Sequence, residues 1–226
     1  MPNIKENLSR LNNNIVNIAN ECDRNPQSIT LLAVSKKHPV ELIKKAHEHG
    51  QNHFGENFVQ EGIEKIRTIK SENLRWHFIG RIQSNKTREI AEYFDWVHTI
   101  DRIKIAERLS NQRPVEASAL NVCVQVNIDN EIAKSGAHLS NLLELCQAID
   151  ELPNLILRGL MCIPATRDKY EEQRKPFNEL YQQKKLLNEQ NLKLDTLSMG
   201  MTNDFKAAIK EGATIIRVGT ALFGSR

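Results

Sequence analysis

The residues with the most chemical potential follow an apolar run near the amino terminus. The segment ITLLAVSKKHP, residues 29–39, passes from aliphatic and β-branched residues to two lysines. In a parallel barrel, the carboxyl ends of the strands line the active face. Side chains alternate along a strand with a period of two, so Lys36 shares the inward face of Val34 and Lys37 turns toward the helix layer. An amine held in a barrel mouth can attack a carbonyl carbon, because desolvation favours its neutral form. The pattern indicates Schiff-base chemistry at Lys36, although a solvated loop is the usual explanation of an arbitrary lysine pair.

A second set of residues lies near the carboxyl terminus, in the segments LSMGMTND and RVGTALFG. Each segment is typical of a strand, a glycine-containing turn and a helix start, where N–H groups and the positive helix end favour an anion. A single glycine turn is weak evidence, but barrels commonly bind phosphate after their seventh and eighth strands. The candidate donors are Ser198, Gly200, Gly219 and Thr220.

Arg217 interrupts the apolar segment ATIIRVGT and shares a strand face with Gly219 by alternation. An arginine inside a barrel needs partners, either an inward acid or a ligand, and the strand context favours the ligand. Asn57, after the second predicted strand, is a further candidate for the pocket wall. His77 lies within a strand, and we interpret it as a hydrogen-bonded core residue unless a catalytic partner is found.

Other familiar patterns are missing from the sequence. His38, His47, His49 and His53 lack the spacing of a metal site with nearby acids. Neither a serine-histidine-aspartate pattern nor a pair of catalytic carboxylates stands out. The four cysteines include no C-x-x-C pair, so neither a zinc site nor a disulfide framework is indicated.

Eight apolar segments must position these residues, and stretches with helical spacing separate them. Such alternation requires parallel strands with crossover helices, and it predicts one (β/α)8 barrel domain over residues 1–226. An additional amino-terminal helix is predicted over 4–22. A doubly wound open sheet is the alternative, although no G-x-G-x-x-G follows a strand. The predicted strands are 29–36, 52–57, 75–80, 95–101, 121–129, 155–164, 194–200 and 214–224, and the intervening helices are 40–49, 57–70, 84–93, 102–110, 139–151, 169–190 and 204–211.

Composition limits the class of partner. The chain has 226 residues, of which 40% are hydrophobic and 26% charged, and this suits one barrel-sized core. Its formal net charge of +3 falls short of a nucleic-acid footprint and suits small anions better. The amino-terminal segment carries charge throughout and no apolar run reaches membrane-spanning length, so we expect a soluble, cytoplasmic protein.

The segments AVSKKHP, HFGENFVQE, WHFIGRIQSNK, LRGLMCIP, LSMGMTND and RVGTALFG resemble the pyridoxal 5′-phosphate (PLP) homeostasis protein family. The likeness runs from about residue 4 to the carboxyl terminus, and it implies a barrel similar to the alanine racemase N-terminal domain. It also implies that Lys36 holds PLP covalently as a Schiff base. In the same way Ser198, Gly219 and Thr220 would contact the phosphate, Arg217 would face the pyridine nitrogen, and Asn57 would lie near the cofactor.

This resemblance makes a PLP carrier or regulator in vitamin B6 homeostasis, without robust turnover, the leading hypothesis. A cationic Arg217 disfavours protonation of the pyridine nitrogen, so the ring would be a poorer electron sink. From this resemblance we expect no counterpart of the second domain with which racemases supply a tyrosine acid, and we expect a monomer. The alternatives are a PLP-dependent amino-acid racemase and a cofactor-free class I aldolase. Expected partners are PLP, apo PLP-dependent enzymes and free amino acids, with neither nucleic acid nor membrane.

Overall fold

Eight parallel strands close into a barrel in sequence order, as the computed structural model shows for residues 2–131 and 135–224. The strands are β1 (Thr30–Val34), β2 (His53–Glu56), β3 (Arg75–Phe78), β4 (Trp96–Ile100), β5 (Leu120–Val126), β6 (Leu155–Cys162), β7 (Thr196–Ser198) and β8 (Ile215–Val218). β1 pairs with both β2 and β8, so the sheet has no free edge. The (β/α)8 barrel prediction is confirmed, and the open sheet is wrong.

Helices surround this barrel between successive strands. They are α1 (Ile4–Glu21), α2 (Val40–Glu48), α3 (Val59–Ile69), α4 (Thr87–Tyr93), α5 (Ile103–Gln112), α6 (Leu142–Asp150), α7 (Tyr170–Glu189), α8 (Phe205–Lys210) and α9 (Thr220–Phe223), with 3₁₀ turns at Pro26–Ser28, Ser84–Lys86 and Leu139–Asn141. In the part of the chain that the structure describes, no helix combines the length and the apolar character that crossing a bilayer requires.

The strands are buried on both faces, which explains their continuous apolar character. In β5, for example, Val122, Cys123 and Val124 are all fully buried although their side chains alternate between the barrel interior and the helix layer. The parallel register places the carboxyl ends of all eight strands at one end of the barrel. We refer to this end as the carboxyl face and to the opposite end as the amino face.

The amino-terminal helix covers the outside of the barrel, packing against α2, α8 and α9. Its buried stripe includes Leu8, Leu11 and Ile15. Val16, one residue after Ile15, is rotated from it by about 100° around the helix axis and is 40% exposed. α1 therefore fills the space beside the short helix α9.

The prediction that 214–224 is one strand is wrong beyond Val218. The chain turns at Gly219 and forms α9, which buries Leu222 and Phe223. The Asn7 side-chain amide of α1 donates to the Leu222 carbonyl oxygen at 2.9 Å. This bond satisfies a carbonyl that the short helix leaves open, so tertiary contacts with α1 stabilise a turn whose sequence also suits a strand.

Candidate functional site

Lys36 lies in the turn that follows β1 at the carboxyl face. Ser35 is fully buried, Lys36 is half-buried, and Lys37 is exposed with a φ of 62°. Strand alternation ends at Val34, so the turn itself determines where residues 36 and 37 lie. The structure thus places Lys36 at the barrel mouth, as predicted, but for a different local reason.

A buried ionic network anchors this turn. The Lys65 ammonium of α3 lies 2.8 Å from Glu56 Oε1 and 2.6 Å from Glu61 Oε1, and it donates to the Ser35 carbonyl oxygen at 2.7 Å. The Ser35 hydroxyl donates to Glu56 Oε1 at 2.6 Å, and the Lys37 backbone N–H donates to Glu61 Oε1 at 2.5 Å. Both neighbours of residue 36 are therefore held by the same network.

Glu56 is the carboxylate at the centre of this network and has no exposed surface. Burial raises the pKa of the Glu56 carboxyl, and the adjacent Lys65 charge opposes that rise. Its second oxygen, Oε2, has no hydrogen-bond partner among the residues that the structure describes. Lys65 was not among the predicted site residues. The only signal was its position four residues after Glu61 on one helix, which is also typical of a surface ion pair.

The turns after β7 and β8 adjoin the Lys36 turn, because β8 lies between β7 and β1. Ala33 pairs with Val218, and a Cβ placed on Gly219 would lie 3.1 Å from the Val34 carbonyl oxygen. Thr220 then begins α9. The backbone after β8 thus packs closely against the end of the strand that leads to Lys36.

A glycine at position 200 has a structural explanation that does not depend on anion binding. Its φ is +92°, and an added Cβ would lie 2.5 Å from the Ala208 Cβ atom of α8. Asp204 precedes α8, but its carboxylate accepts the Met201 N–H at 2.6 Å, inside the turn. The close approach of helix and turn therefore requires glycine at 200, whether or not its N–H group also meets an anion.

Arg217 is buried inside the barrel, where its hydrogen-bond partners among the described residues are Ser198 and Cys162. One terminal nitrogen donates to the Ser198 carbonyl oxygen at 2.6 Å and to the Ser198 hydroxyl at 3.0 Å. The other donates to the Cys162 carbonyl oxygen at 2.9 Å. Burial lowers the pKa of the Arg217 guanidinium, and the charge of Asp204 opposes that effect. Two backbone carbonyl oxygens and the Ser198 hydroxyl hold the cation in place, and the ligand contact of Arg217 stays a prediction.

Three imidazole rings form a chain of close contacts that runs from Ser198 through the barrel interior. Ser198 Oγ lies 2.8 Å from His98 Nδ1, His98 Nε2 lies 2.9 Å from His77 Nδ1, and His77 Nε2 lies 3.0 Å from His53 Nδ1. We call His53, His77 and His98 the histidine chain. The interpretation of His77 as a hydrogen-bonded core residue is confirmed, but its two imidazole neighbours were not foreseen.

Burial and neighbouring charge keep the histidine chain neutral. Burial, with a smaller contribution from Arg217, lowers the pKa of His98 to about 3. Burial also lowers the pKa of His77 well below its usual value, with His98 and His53 adding to the effect. The pKa of His53 is lowered by burial and by Arg75, and Asp95 opposes this.

Asn57 follows β2 on the carboxyl face, where its Oδ1 atom is buried without a hydrogen-bond partner in the described ranges. The backbone around it is tight, since a Cβ on Gly80 would lie 2.1 Å from the Asn57 carbonyl oxygen. A cavity of about 560 Å³ adjoins Asn57 and is also lined by Phe58, Arg81 and Lys86. An acceptor that is buried and unpaired suits a donor from a bound molecule.

Metal binding finds no support within residues 2–131 and 135–224, where no group of three or more His, Cys, Asp or Glu side chains could hold an ion. The thiols of Cys123 and Cys162 are fully buried. Burial raises the pKa of Cys162 to about 12, so this thiol is an inert core residue.

Comparison with known proteins places the chain in a family. The family model described as "Alanine racemase, N-terminal domain" matches residues 7–226. The chain is 49% identical over 230 residues to a "Pyridoxal phosphate homeostasis protein" of Vibrio alginolyticus, covering 100% of this chain and 99% of the relative. The protein of that name from Escherichia coli is 48% identical over 229 residues, covering 100% of this chain and 98% of the relative. The chain belongs to the pyridoxal phosphate homeostasis protein family.

Solved structures agree with this assignment. PipY of Synechococcus elongatus, in a structure with PLP bound, superposes with a TM-score of 0.86 at 37% identity and covers 98% of this chain and 100% of that one. An alanine racemase of Clostridium difficile superposes with a TM-score of 0.77 over 99% of this chain and 57% of its own, at 18% identity. At that identity the racemase shares the barrel fold alone.

The carboxyl face of this family member offers groups that fit PLP chemically. A primary amine follows β1, a glycine-containing turn follows each of β7 and β8, and Asn57 Oδ1 is an acceptor for which the described residues provide no donor. Arg217 adds a fixed positive charge inside the barrel. An amine, anion-compatible turns and a buried cation are the groups that an aromatic aldehyde with a phosphate requires.

Proposed function

We propose that this chain binds PLP at the carboxyl face and acts as a carrier or regulator in cellular PLP homeostasis. The observation that carries the proposal is the close packing of the Gly219 turn against Val34, two residues before Lys36. This contact brings a candidate phosphate site and an amine to adjacent strands. The names of the relatives and the PLP-bound PipY structure support the same conclusion.

In this proposal the Lys36 amine would hold the cofactor, whose aldehyde would supply Schiff-base chemistry with loss of water. The Ser198 hydroxyl and the backbone of the turns after β7 and β8 would hold its phosphate. The candidate residues for this second role are Ser198, Gly200, Gly219 and Thr220.

The buried network beneath the Lys36 turn positions the amine. Because Lys65 contacts the Ser35 carbonyl oxygen and Glu61 accepts from the Lys37 N–H, the chain on each side of Lys36 is restrained. Restraint before binding reduces the conformational entropy lost on binding. Asn57 Oδ1 accepts a hydrogen bond from the bound molecule.

Arg217 favours binding over turnover. Two backbone carbonyl oxygens hold the guanidinium, which stays charged at neutral pH. A cation that faces the pyridine nitrogen disfavours protonation of that nitrogen, and this weakens the ring as an electron sink. PLP bound with limited turnover is available for exchange with free amino acids or apo PLP-dependent enzymes.

Visible absorption and chiral product analysis test this proposal together. Purified protein mixed with PLP should develop the absorption of a lysine Schiff base, and Lys36→Ala should abolish it. Lys37→Ala is the matched control, because it removes the adjacent, exposed amine and should retain the band. A band that survives in Lys36→Ala contradicts the proposed attachment.

The racemase is the second candidate, because the alanine racemase N-terminal domain profile covers nearly the whole chain. Incubation of PLP-loaded protein with single L-amino acids should leave the stereochemistry essentially unchanged over many equivalents. Sustained conversion to the D-form that is absent in Lys36→Ala would contradict the carrier proposal and would support a racemase.

A further inference from the structure

The histidine chain connects the two ends of the barrel. His53 is the first residue of β2, on the amino face, where it is half-buried and lines a cavity of about 390 Å³. Ser198 is the last residue of β7. The step from His98 to Ser198 crosses the barrel from β4 to β7, which are not neighbouring strands. A continuous line of polar atoms therefore runs from the amino face to the candidate phosphate site.

The geometry fixes the tautomers of the three rings relative to one another. A neutral imidazole has one N–H group, and each contact needs one donor and one acceptor. If His98 donates through Nε2, then His77 accepts at Nδ1 and donates through Nε2 to His53 Nδ1. If His53 donates through Nδ1, all three rings carry their proton on Nδ1, and His98 donates to Ser198 Oγ. The three rings must share one tautomer.

We propose that His53, His77 and His98 form a proton relay between Ser198 and the amino face of the barrel. In the Nε2 state the Ser198 hydroxyl proton passes to His98 Nδ1, the His98 and His77 Nε2 protons each move one ring along, and His53 Nε2 releases a proton. Ser198 Oγ takes a replacement proton from the site. One proton enters and one leaves, and all three rings end in the Nδ1 tautomer.

The charges around the chain support this direction of transfer. Arg217 donates to the same Ser198 oxygen that contacts His98, so an additional positive charge at that end is repelled. At the other end His53 faces Arg75 and Asp95, and the Asp95 carboxylate partly offsets the arginine. His77 lies between the other two imidazoles and stacks on Trp96, with ring centroids 5.3 Å apart. The relay thus has the Arg217 cation at its inner end. Its outer end is half-buried and faces one positive and one negative side chain.

Such a relay deepens the proposed function, on which it rests for its physiological role. The Lys36 amine must lose a proton before it attacks an aldehyde, and the carboxyl face is covered when a ligand occupies it. A path through the barrel lets the site exchange protons with solvent at the opposite face. The relay residues therefore act through Ser198, without touching the bound molecule.

Proton exchange of the buried imidazoles tests the relay in the ligand-free protein. Nitrogen-15 NMR should show three neutral rings in the same tautomer in the wild type. His77→Gln keeps a side chain that donates and accepts hydrogen bonds but cannot transfer protons, so exchange of the His98 N–H with solvent should slow about a hundredfold, the lower end of a positioned proton-transfer group. The matched control is His49→Gln, which removes an exposed imidazole and should leave the rate unchanged.

Mixed tautomers in the wild type, or an unchanged His98 exchange rate in folded His77→Gln, would overturn the relay. His53→Phe is a second variant, since it interrupts the outer end alone and should slow the same exchange. Because these readouts need no PLP, they stand even if PLP fails to bind. Stopped-flow detection of protons with a pH dye during PLP loading then tests the physiological role. Slower proton exchange in His77→Gln, at unchanged PLP affinity, is expected.

Discussion

Replacing Lys65 with methionine is the sharpest test of the buried network beneath the Lys36 turn. The side chain of Lys65 is 5% exposed and that of Glu56 is 0% exposed. Removing the ammonium leaves the Glu56 carboxyl buried with only the Ser35 hydroxyl as a described donor. Removing one partner of a buried ion pair costs about 3–5 kcal/mol of unfolding free energy, because the remaining charge is uncompensated.

That free energy corresponds to a large change in melting temperature. For a chain of this length each kcal/mol shifts the midpoint by about 2–4 °C, so Lys65→Met should melt about 6–20 °C below the wild type. Differential scanning calorimetry and urea unfolding measure the two quantities. Lys175→Met removes an ammonium from the exposed Lys175–Glu172 pair, 2.8 Å apart, and should change stability by less than about 1 kcal/mol.

Protonation of Glu56 offers a further check within the same network. Burial raises the pKa of Glu56, so the folded state binds its proton more tightly than the unfolded state. The stability that Glu56 contributes is present below the pKa of this carboxyl in the unfolded state. It is lost as pH rises through the pKa of the same carboxyl in the folded state. The destabilisation of Lys65→Met should therefore shrink at acid pH. Equal stability of Lys65→Met and the wild type at neutral pH would refute the importance of the network.

Two further predictions concern the histidine chain and the turn after β7. The pKa of His77 in the folded protein lies well below its usual value of about 6.5, so the unfolded state binds a proton more readily. The stability of the protein that depends on the neutral ring is therefore present above about pH 6.5 and is lost as pH falls. The stability difference between the wild type and His77→Gln should change by up to about 1.4 kcal/mol per pH unit below that point in urea titrations, and a constant difference would contradict a neutral ring. Gly200→Ala should lower stability by about 1–3 kcal/mol, because its φ of +92° and the 2.5 Å approach to Ala208 both exclude a methyl group. Ala208→Gly in the same variant should recover part of that loss, and a fully stable Gly200→Ala would show that the turn relaxes easily.

The sequence was sufficient to predict the barrel because eight segments with apolar residues alternate with stretches of helical spacing. All eight predicted strands are present, and their helices begin and end within a few residues of the predicted bounds. Once the barrel closes, strand order alone places the Lys36 turn beside the turns after β7 and β8. The candidate site was predictable to the extent that it follows from strand order.

Features that depend on strand register and side-chain reach were not predictable. His53, His77 and His98 stand on three successive strands, and nothing in their spacing of 24 and 21 residues indicates that their rings form hydrogen bonds. Two of the three oxygens that Arg217 contacts belong to the backbone, which carries no sequence signal. Lys65 likewise donates to a backbone oxygen, that of Ser35, and its reach depends on the packing of α3 against β2.

The central claim is that the amine of Lys36 carries PLP, and reductive trapping measures this most directly. Protein incubated with PLP and reduced with borohydride should contain one phosphopyridoxyl group per chain after digestion and mass spectrometry, located on the peptide with Lys36. The adduct should disappear in Lys36→Ala and persist in Lys37→Ala. An adduct on another lysine in the wild type, or tight PLP binding that leaves Lys36 unmodified, would contradict the account.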